Sequence, residues 1–196
     1  MLYAQFRKIT LKSVNVNLLG EGEDLTEGKT EYIFEILRED DINECVEIIT
    51  KYMRNRLGQG EIQFNKETFK QRLKDPNFMT LVGKYGEKIK GVINVLIPPN
   101  FFQPPQIVFV GVADQENAVK GLPGMLIDEF IDELKRRFPK ASLIEVDLAS
   151  KDTNAVAMYS SKGFSVEGFT KEGVGGADIV VLRKRFGQDT PRTPIA

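Results

Sequence analysis

One stretch near the C-terminus constrains the fold of this chain most, because both ends of a short helix are marked in it. Asp152 is placed to cap the first turn by accepting hydrogen bonds from backbone N–H groups. Ala155 and Tyr159 share one face at helical spacing. Gly163 stands where a left-handed residue ends a helix, and Phe164 is placed to fold back onto Tyr159. The stretch therefore predicts a helix that holds Tyr159 on a rigid turn.

An apolar strand at residues 143–148 comes directly before this helix, and another strand follows it. Tyr159 is thus expected beside the end of a strand. Two interpretations of this tyrosine remain open from the stretch alone. In the first, it is an amphipathic core residue of a helix that packs on a sheet. In the second, its hydroxyl carries chemistry.

The composition limits the chemistry that is open to the chain. Its 196 residues suffice for one domain whose core needs no disulfides, and its formal net charge of −1 shows no nucleic-acid footprint. The single cysteine, Cys45, excludes an internal disulfide, and its place on an apolar helix face predicts a buried, inert thiol. The absence of histidine excludes Ser–His and Cys–His nucleophilic machinery. Because the N-terminus lacks a secretory apolar core and no apolar run approaches membrane-spanning length, we expect a cytoplasmic protein without membrane contact.

Apolar periodicity and turn signals predict the remaining elements. Strands are predicted at residues 31–37, 78–84, 89–97, 107–112, 143–148, from 164 onward and at 178–182. Helices are predicted at residues 40–57, after a cap at Asn65, from the turn at 120–124 to about 138, and in the stretch described first. The strand at 107–112 is apolar without interruption, so burial of both its faces is predicted, and a loop is predicted after it.

The third of these helices carries an apolar stripe made of Leu126, Ile127, Phe130, Ile131 and Leu134. Three parts of the chain are predicted. Residues 1–30 form an N-terminal extension, a strand pair that is a candidate for a sheet edge or a homodimer contact. Residues 31–186 form the core domain. Residues 187–196, rich in Pro and Thr, form a loose tail.

The pattern Asp152-x-x-Ala-x-x-x-Tyr-x-x-x-Gly-Phe after an apolar strand resembles the C-terminal signature of the GNAT superfamily, the acyl-CoA-dependent N-acyltransferases. Asp152 stands where that signature usually has Asn. The element order β-α-α-β-β-β-α-β-α-β-β over residues 31–186 is similar to the order of the family. The resemblance implies an α/β (α+β) fold with a mixed, mostly antiparallel sheet flanked by helices. It implies transfer of an acetyl group from acetyl-CoA to a primary amine of a small molecule or a protein, without a metal.

The resemblance also implies where acetyl-CoA binds. In the family, a Gln/Arg-x-x-Gly-x-Gly/Ala loop at a helix N-terminus offers backbone N–H groups to the pyrophosphate. The matching residues here are Ala118, Val119, Lys120, Gly121, Leu122, Pro123 and Gly124. Two of them depart from the pattern, because Ala118 replaces Gln/Arg and Pro123 lacks an N–H group. Lys120 offers a compensating charge. The other interpretation is a plain loop with a proline-started helix.

The pantetheine arm, by the same resemblance, pairs with the open edge of the strand at 107–112, which assigns it Val110, Gly111 and Val112. Asp152, Asn154 and Ala155 lie along the cofactor in the family. The family builds its acceptor pockets from the parts that match the loop at 98–106, the helices at 40–75 and the turn at 173–176. The sequence does not identify the acceptor.

Tyr159 is implied by the resemblance as the acid that protonates the leaving thiolate of CoA. The general base is not assigned by the sequence: Asp114, Glu145, Asp147 and a water remain open. An alternative function is a non-catalytic acyl-CoA-binding or sensing module, which the missing base and the altered loop favour. A weaker alternative is a structural subunit that keeps only the fold.

Overall fold

The computed structural model describes residues 12–14, 30–57, 66–99, 103–171 and 178–186. Its elements in chain order are β1 (Lys12–Val14), β2 (Thr30–Ile36), a 3-10 turn (Glu39–Asp41), α1 (Ile42–Leu57), α2 (Lys66–Lys74), β3 (Phe78–Tyr85), β4 (Lys88–Leu96), β5 (Gln106–Val112), α3 (Gln115–Val119), α4 (Leu122–Arg137), β6 (Leu143–Ala149), α5 (Thr153–Ser161), β7 (Ser165–Thr170) and β8 (Ile179–Arg185). The order predicted for residues 31–186 is confirmed, with α3 as an additional helix.

The described strands form one eight-stranded sheet in the order β1-β2-β3-β4-β5-β6-β8-β7. Only the central pair β5–β6 is parallel among them, and the other neighbours run antiparallel. The predicted mixed, mostly antiparallel sheet is therefore confirmed. At one edge of the sheet, β1 pairs with β2 at three positions, from Lys12 opposite Tyr32 to Val14 opposite Thr30.

Helices cover the sheet in two clusters of buried side chains. The larger cluster joins α4 and α5 to the sheet, and its α4 stripe is the predicted one. The smaller cluster joins α1 to β3, β4 and β5 on the other face, with Phe69 and Leu73 of α2 packed against it. Cys45 lies in the smaller cluster with no exposed surface, where burial above all raises the pKa of its thiol to about 12. The predicted burial of this thiol is confirmed, and its inertness stays a prediction.

The prediction that β5 is buried on both faces is wrong, because a β-bulge interrupts the strand. In the register with β4, Asn94 pairs with Phe109 and Val95 pairs with Ile107, so Val108 is the extra residue. Val108 is 39% exposed. The extra residue also sends Ile107 to the larger cluster and Phe109 to the smaller one. An uninterrupted apolar run does not reveal such a bulge.

The loop predicted after β5 contains a short helix, α3. Asp114 caps it, since its side chain accepts a hydrogen bond from the backbone N–H of Asn117 at 3.0 Å. Five residues are too few for an apolar period, so only the cap could have indicated this helix. The predicted cap at Asn65, most of residues 1–29, the turn at 173–176 and the tail at 187–196 lie outside the described residues.

Candidate functional site

The parallel strands β5 and β6 meet only at one end. Their register comprises two pairs, Gln106 with Glu145 and Ile107 with Val146. Beyond these pairs β5 continues along β4 to Val112, whereas β6 continues along β8. The strands therefore separate, and the edge of β5 from the bulge onward is not paired with β6. A strand edge of this kind presents backbone N–H and C=O groups to whatever enters the opening.

The predicted β5 residues line this separated part of the strand. The side chains of Val110 and Val112 pack partly against the larger cluster. Gly111 is buried, and a Cβ built on it would overlap the Phe109 ring. A packing reason thus accounts for this glycine, since the neighbouring ring needs the space.

The first turn of α4 begins directly after α3. Gly121 is its N-cap in a left-handed conformation, with φ 77°, and a Cβ built there would meet no described atom within 4 Å. The Leu122 side chain is fully buried and anchors the turn in the core. Pro123 lies in the first turn, as predicted, where its missing N–H has no intrahelical partner to lose. The open space over Gly121 lets a ligand approach the positive end of the helix.

The helix α5 has both predicted ends. Asp152 accepts a hydrogen bond from the backbone N–H of Ala155 at 3.1 Å, and Gly163 has φ 82°. The rings of Tyr159 and Phe164 meet edge to face, with their centroids 5.1 Å apart. Tyr159 is only 3% exposed. Asn154 is exposed and lies in the first turn of α5, at the end of the helix that is far from Gly163.

Solved acetyltransferase structures are similar to this chain in their fold. The chain superposes on the ribosomal-protein-S18-alanine N-acetyltransferase of Escherichia coli with a TM-score of 0.65 and 14% identity, covering 84% of this chain and 99% of that one. For the ribosomal-protein-alanine N-acetyltransferase of Brucella melitensis the TM-score is 0.66 at 21% identity, covering 78% and 99%. For mutant forms of the spermidine/spermine N-acetyltransferase of Vibrio cholerae it is 0.61 at 15% identity, covering 79% and 93%. The chain has the GNAT fold.

These likenesses are at the level of the fold. No family model matches the sequence, and no curated protein matches it either. Within the described residues no helix is long and apolar enough to cross a membrane. The same part of the chain contains no group of three or more His, Cys, Asp or Glu side chains that could hold a metal ion.

The predicted residues 118–124 cover the end of α3, the turn at Lys120 and Gly121, and the first turn of α4. Ala118 and Val119 end α3, and Lys120 is its C-cap. The Lys120 ammonium pairs with Glu116 Oε1 at 2.6 Å, and this hydrogen bond is the main reason why the pKa of Lys120 is raised. Its positive charge therefore stands directly before the first turn of α4.

All three candidate base residues make side-chain contacts, and two of them are held by a helix cap or an ion pair. Asp114 caps α3, and the hydrogen bond from the backbone of Asn117 is the main cause that lowers the pKa of its carboxyl group. A lowered pKa makes a carboxylate a weaker base. Glu145 is paired with Arg183 at 2.6 Å.

Asp147 is the third candidate, and its environment differs. Its Oδ2 accepts a hydrogen bond from Gln106 Nε2 at 3.0 Å, where the pairing of β5 and β6 ends. The residue is exposed, but partial desolvation of its carboxyl group, and then the charge of Glu145, raises the pKa of that group. These surroundings make the Asp147 carboxylate a stronger base than an ordinary aspartate, in contrast to that of Asp114.

Lys162 is a residue of this region that the sequence did not single out. It is the C-cap of α5, and its ammonium pairs with Asp128 Oδ2 of α4 at 2.6 Å. Its backbone carbonyl accepts a hydrogen bond from Lys184 Nζ of β8 at 2.7 Å. The end of the helix that carries Tyr159 is thereby joined to α4 and to the sheet. No local pattern indicates this link, because it depends on how the two helices approach each other.

Proposed function

We propose that this protein is a cytoplasmic N-acetyltransferase that moves the acetyl group of acetyl-CoA to a primary amine by direct attack on the thioester. The observation that carries the proposal is the separation of β5 from β6 next to the open first turn of α4. It offers a strand edge for a peptide-like arm and, close after the same strand in the chain, a helix N-terminus for a phosphate. We propose residues 31–186 as the catalytic domain and residues 1–30 as its extension.

The chain has groups that suit each part of acetyl-CoA. The backbone of the α4 first turn and the charge of Lys120 suit the pyrophosphate, although Pro123 gives no N–H. The edge of β5 at Val110 and Val112 suits the amide groups of the pantetheine arm. Residues at the start of α5, namely Asp152, Asn154 and Ala155, are proposed to lie along the cofactor.

The chemistry needs a neutral amine, a donor for the developing oxyanion and a proton for the leaving thiolate. We assign the proton to the hydroxyl of Tyr159, since a phenol is protonated at neutral pH. A backbone N–H near Val112 serves as the oxyanion donor. Asp147, directly or through water, is the favoured base among the three carboxylates, because its pKa is raised whereas that of Asp114 is lowered.

A second candidate function is an acyl-CoA-binding or sensing module without turnover. Two observations favour it: Pro123 removes a donor from the first turn of α4, and Tyr159 is almost fully buried. Turnover distinguishes the two functions, since both require binding of the cofactor.

The test is release of free thiol from acetyl-CoA by the purified full-length chain in the presence of an amine. The panel contains peptides that begin with alanine and the polyamines spermidine and spermine, because structural neighbours act on such acceptors. Amine-dependent thiol release supports the enzyme. Calorimetric binding of CoA without release for any amine favours the binding module. No binding heat at millimolar CoA contradicts both.

A further inference from the structure

We propose that Tyr32 and Asn117 are positioning residues that hold the turn between α3 and α4 in its ligand-binding conformation. The proposal rests on the proposed function, because the ligand of that turn is taken to be the pyrophosphate of acetyl-CoA. Neither residue is expected to touch the ligand. Both act through the backbone of residues 118–124.

A buried hydrogen bond joins the two residues across the domain. The Tyr32 hydroxyl on β2 donates to Asn117 Oδ1 in α3 at 2.6 Å, between residues 85 positions apart in the sequence. Tyr32 is 2% exposed and Asn117 is 6% exposed. The amide of Asn117 also donates from Nδ2 to Asp114 Oδ1 at 2.5 Å. Asn117 therefore links the cap of α3 to β2, which lies three strands away from β5 in the sheet.

The segment that follows needs such an anchor. A helix of five residues is not stable in isolation, so α3 must be held by tertiary contacts. Its start is held by Lys51 Nζ, which donates to the carbonyl of Ala113 at 2.8 Å. Its middle is held by the Tyr32–Asn117 bond. Gly121 lies only four positions after Asn117, and its backbone N–H donates a hydrogen bond to the carbonyl of Ala118 at 3.0 Å. The direction of the α4 first turn is therefore set by where Asn117 is fixed.

The hydroxyl of Tyr32 is not required for core packing. Phe34, two residues later on the same face of β2, contributes a ring to the same cluster without a hydroxyl, and the two ring centroids are 6.4 Å apart. Burial is the main cause that raises the pKa of Tyr32, so its hydroxyl stays a donor at neutral and mildly alkaline pH. Within the described part of the chain, the partner of this hydroxyl is Asn117.

The test compares Tyr32→Phe with a matched control, Thr80→Val. The control also removes a buried side-chain hydrogen bond, because Thr80 Oγ1 accepts from Asn94 Nδ2 at 2.8 Å between β3 and β4. CoA is titrated into each full-length variant by calorimetry, thermal unfolding is recorded, and amide hydrogen exchange is followed over residues 114–125. Steady-state kinetics with acetyl-CoA give KM and kcat.

We expect Tyr32→Phe to raise the Kd for CoA about two- to tenfold, the effect of one net hydrogen bond. The increase should appear in KM for acetyl-CoA more than in kcat, with faster exchange over residues 114–125. Thr80→Val should lower the melting temperature but leave Kd within about twofold of the wild type. An unchanged Kd in Tyr32→Phe, or an equal rise of Kd in both variants, would overturn the proposal.

Asn117→Ala supplies a second, independent variant. If Tyr32 acts through Asn117, the double variant should bind CoA no more weakly than Asn117→Ala alone, whereas independent effects would multiply. Multiplying effects would contradict the proposal. A wild type that binds no CoA overturns the proposed function and, with it, the role in binding. Faster exchange in Tyr32→Phe would then remain as evidence of a purely structural link.

Discussion

The side chain of Lys162, at the end of α5, lies directly over Gly124 in the first turn of α4. A Cβ built on Gly124 would fall 2.6 Å from Lys162 Cε, which is closer than two carbon atoms can approach. The absence of a side chain at Gly124 therefore allows the ammonium of Lys162 to reach Asp128 across the helix. This contact joins the end of the helix that carries Tyr159 to the start of α4.

Gly124→Ala should displace Lys162 with little net change in stability. Ala favours a helix over Gly by about 1 kcal/mol, and a partly exposed ion pair contributes about 0–1 kcal/mol, so the two effects nearly cancel. In a Lys162→Ala background the clash is absent, and Gly124→Ala should raise the free energy of unfolding by about 0.5–1 kcal/mol. Denaturant unfolding of the four proteins of this cycle measures the coupling. Additive effects would show that the contact does not constrain the helices.

Tyr159→Phe tests the assigned proton donor. The substitution keeps the ring and its contact with Phe164, so we expect a nearly unchanged melting temperature and nearly unchanged affinity for acetyl-CoA. We expect kcat to fall about ten- to a thousandfold, within the range of a positioned acid. If the hydroxyl serves only the core, its loss costs roughly 1–3 kcal/mol of stability and leaves kcat intact. That second result would remove the acid role and favour the binding module.

Gly121 allows the phosphate assignment to be tested with a matched pair. Any side chain at φ 77° is strained, so Gly121→Ala and Gly121→Glu share that cost of roughly 1 kcal/mol. Only the glutamate adds a negative charge at the α4 N-terminus, where an anion is expected to bind. We expect calorimetry to show weakened CoA binding for Gly121→Ala and none for Gly121→Glu. Equal affinities in the two variants would place the phosphate elsewhere.

Asp114 predicts a dependence of stability on acid pH. Its pKa in the folded protein is lowered from 3.8, mainly by the hydrogen bond from the Asn117 backbone, so the unfolded chain takes up the proton first on acidification. The contribution of the Asp114 carboxylate to stability is complete above about pH 4 and disappears as pH falls through its lowered pKa in the folded protein. Asp114→Asn keeps a capping oxygen but does not titrate. The wild type should therefore lose its stability advantage, at most about 1 kcal/mol, over this variant as pH falls below about 4. A difference in melting temperature between the two proteins that stays constant with pH would show that the Asp114 carboxylate does not cause the loss of stability in acid.

Deletion of residues 1–29 tests the proposed domain boundary. The described part of the extension pairs with β2 at three positions, and β2 remains paired with β3. The truncated chain should therefore stay folded by circular dichroism and bind CoA. Loss of the folded signal would show that the domain needs the extension in order to fold, and would contradict the proposed boundary.

The local sequence was sufficient to predict the separate elements. Both ends of α5 and the buried stripe of α4 were predicted correctly, because a cap, a left-handed glycine and a helical period are written within a few consecutive residues. The element order over residues 31–186 was predicted for the same reason. Missed features were α3, which is too short to show a period, and the bulge at Val108, which depends on the register with β4.

Tertiary structure alone decided how the candidate site is assembled. Two contacts join residues far apart in the chain, namely the hydrogen bond between Tyr32 and Asn117 and the contact of Lys162 with Gly124. The separation of β5 from β6 likewise depends on how strands that are distant in the sequence pair. No local pattern encodes such contacts, since they depend on which surfaces meet once the sheet has formed. The sequence by itself determined the helices and strands of the core other than α3, and where Tyr159 stands on its helix. The packing of those elements decided that a strand edge, a helix start and this tyrosine helix belong to one region.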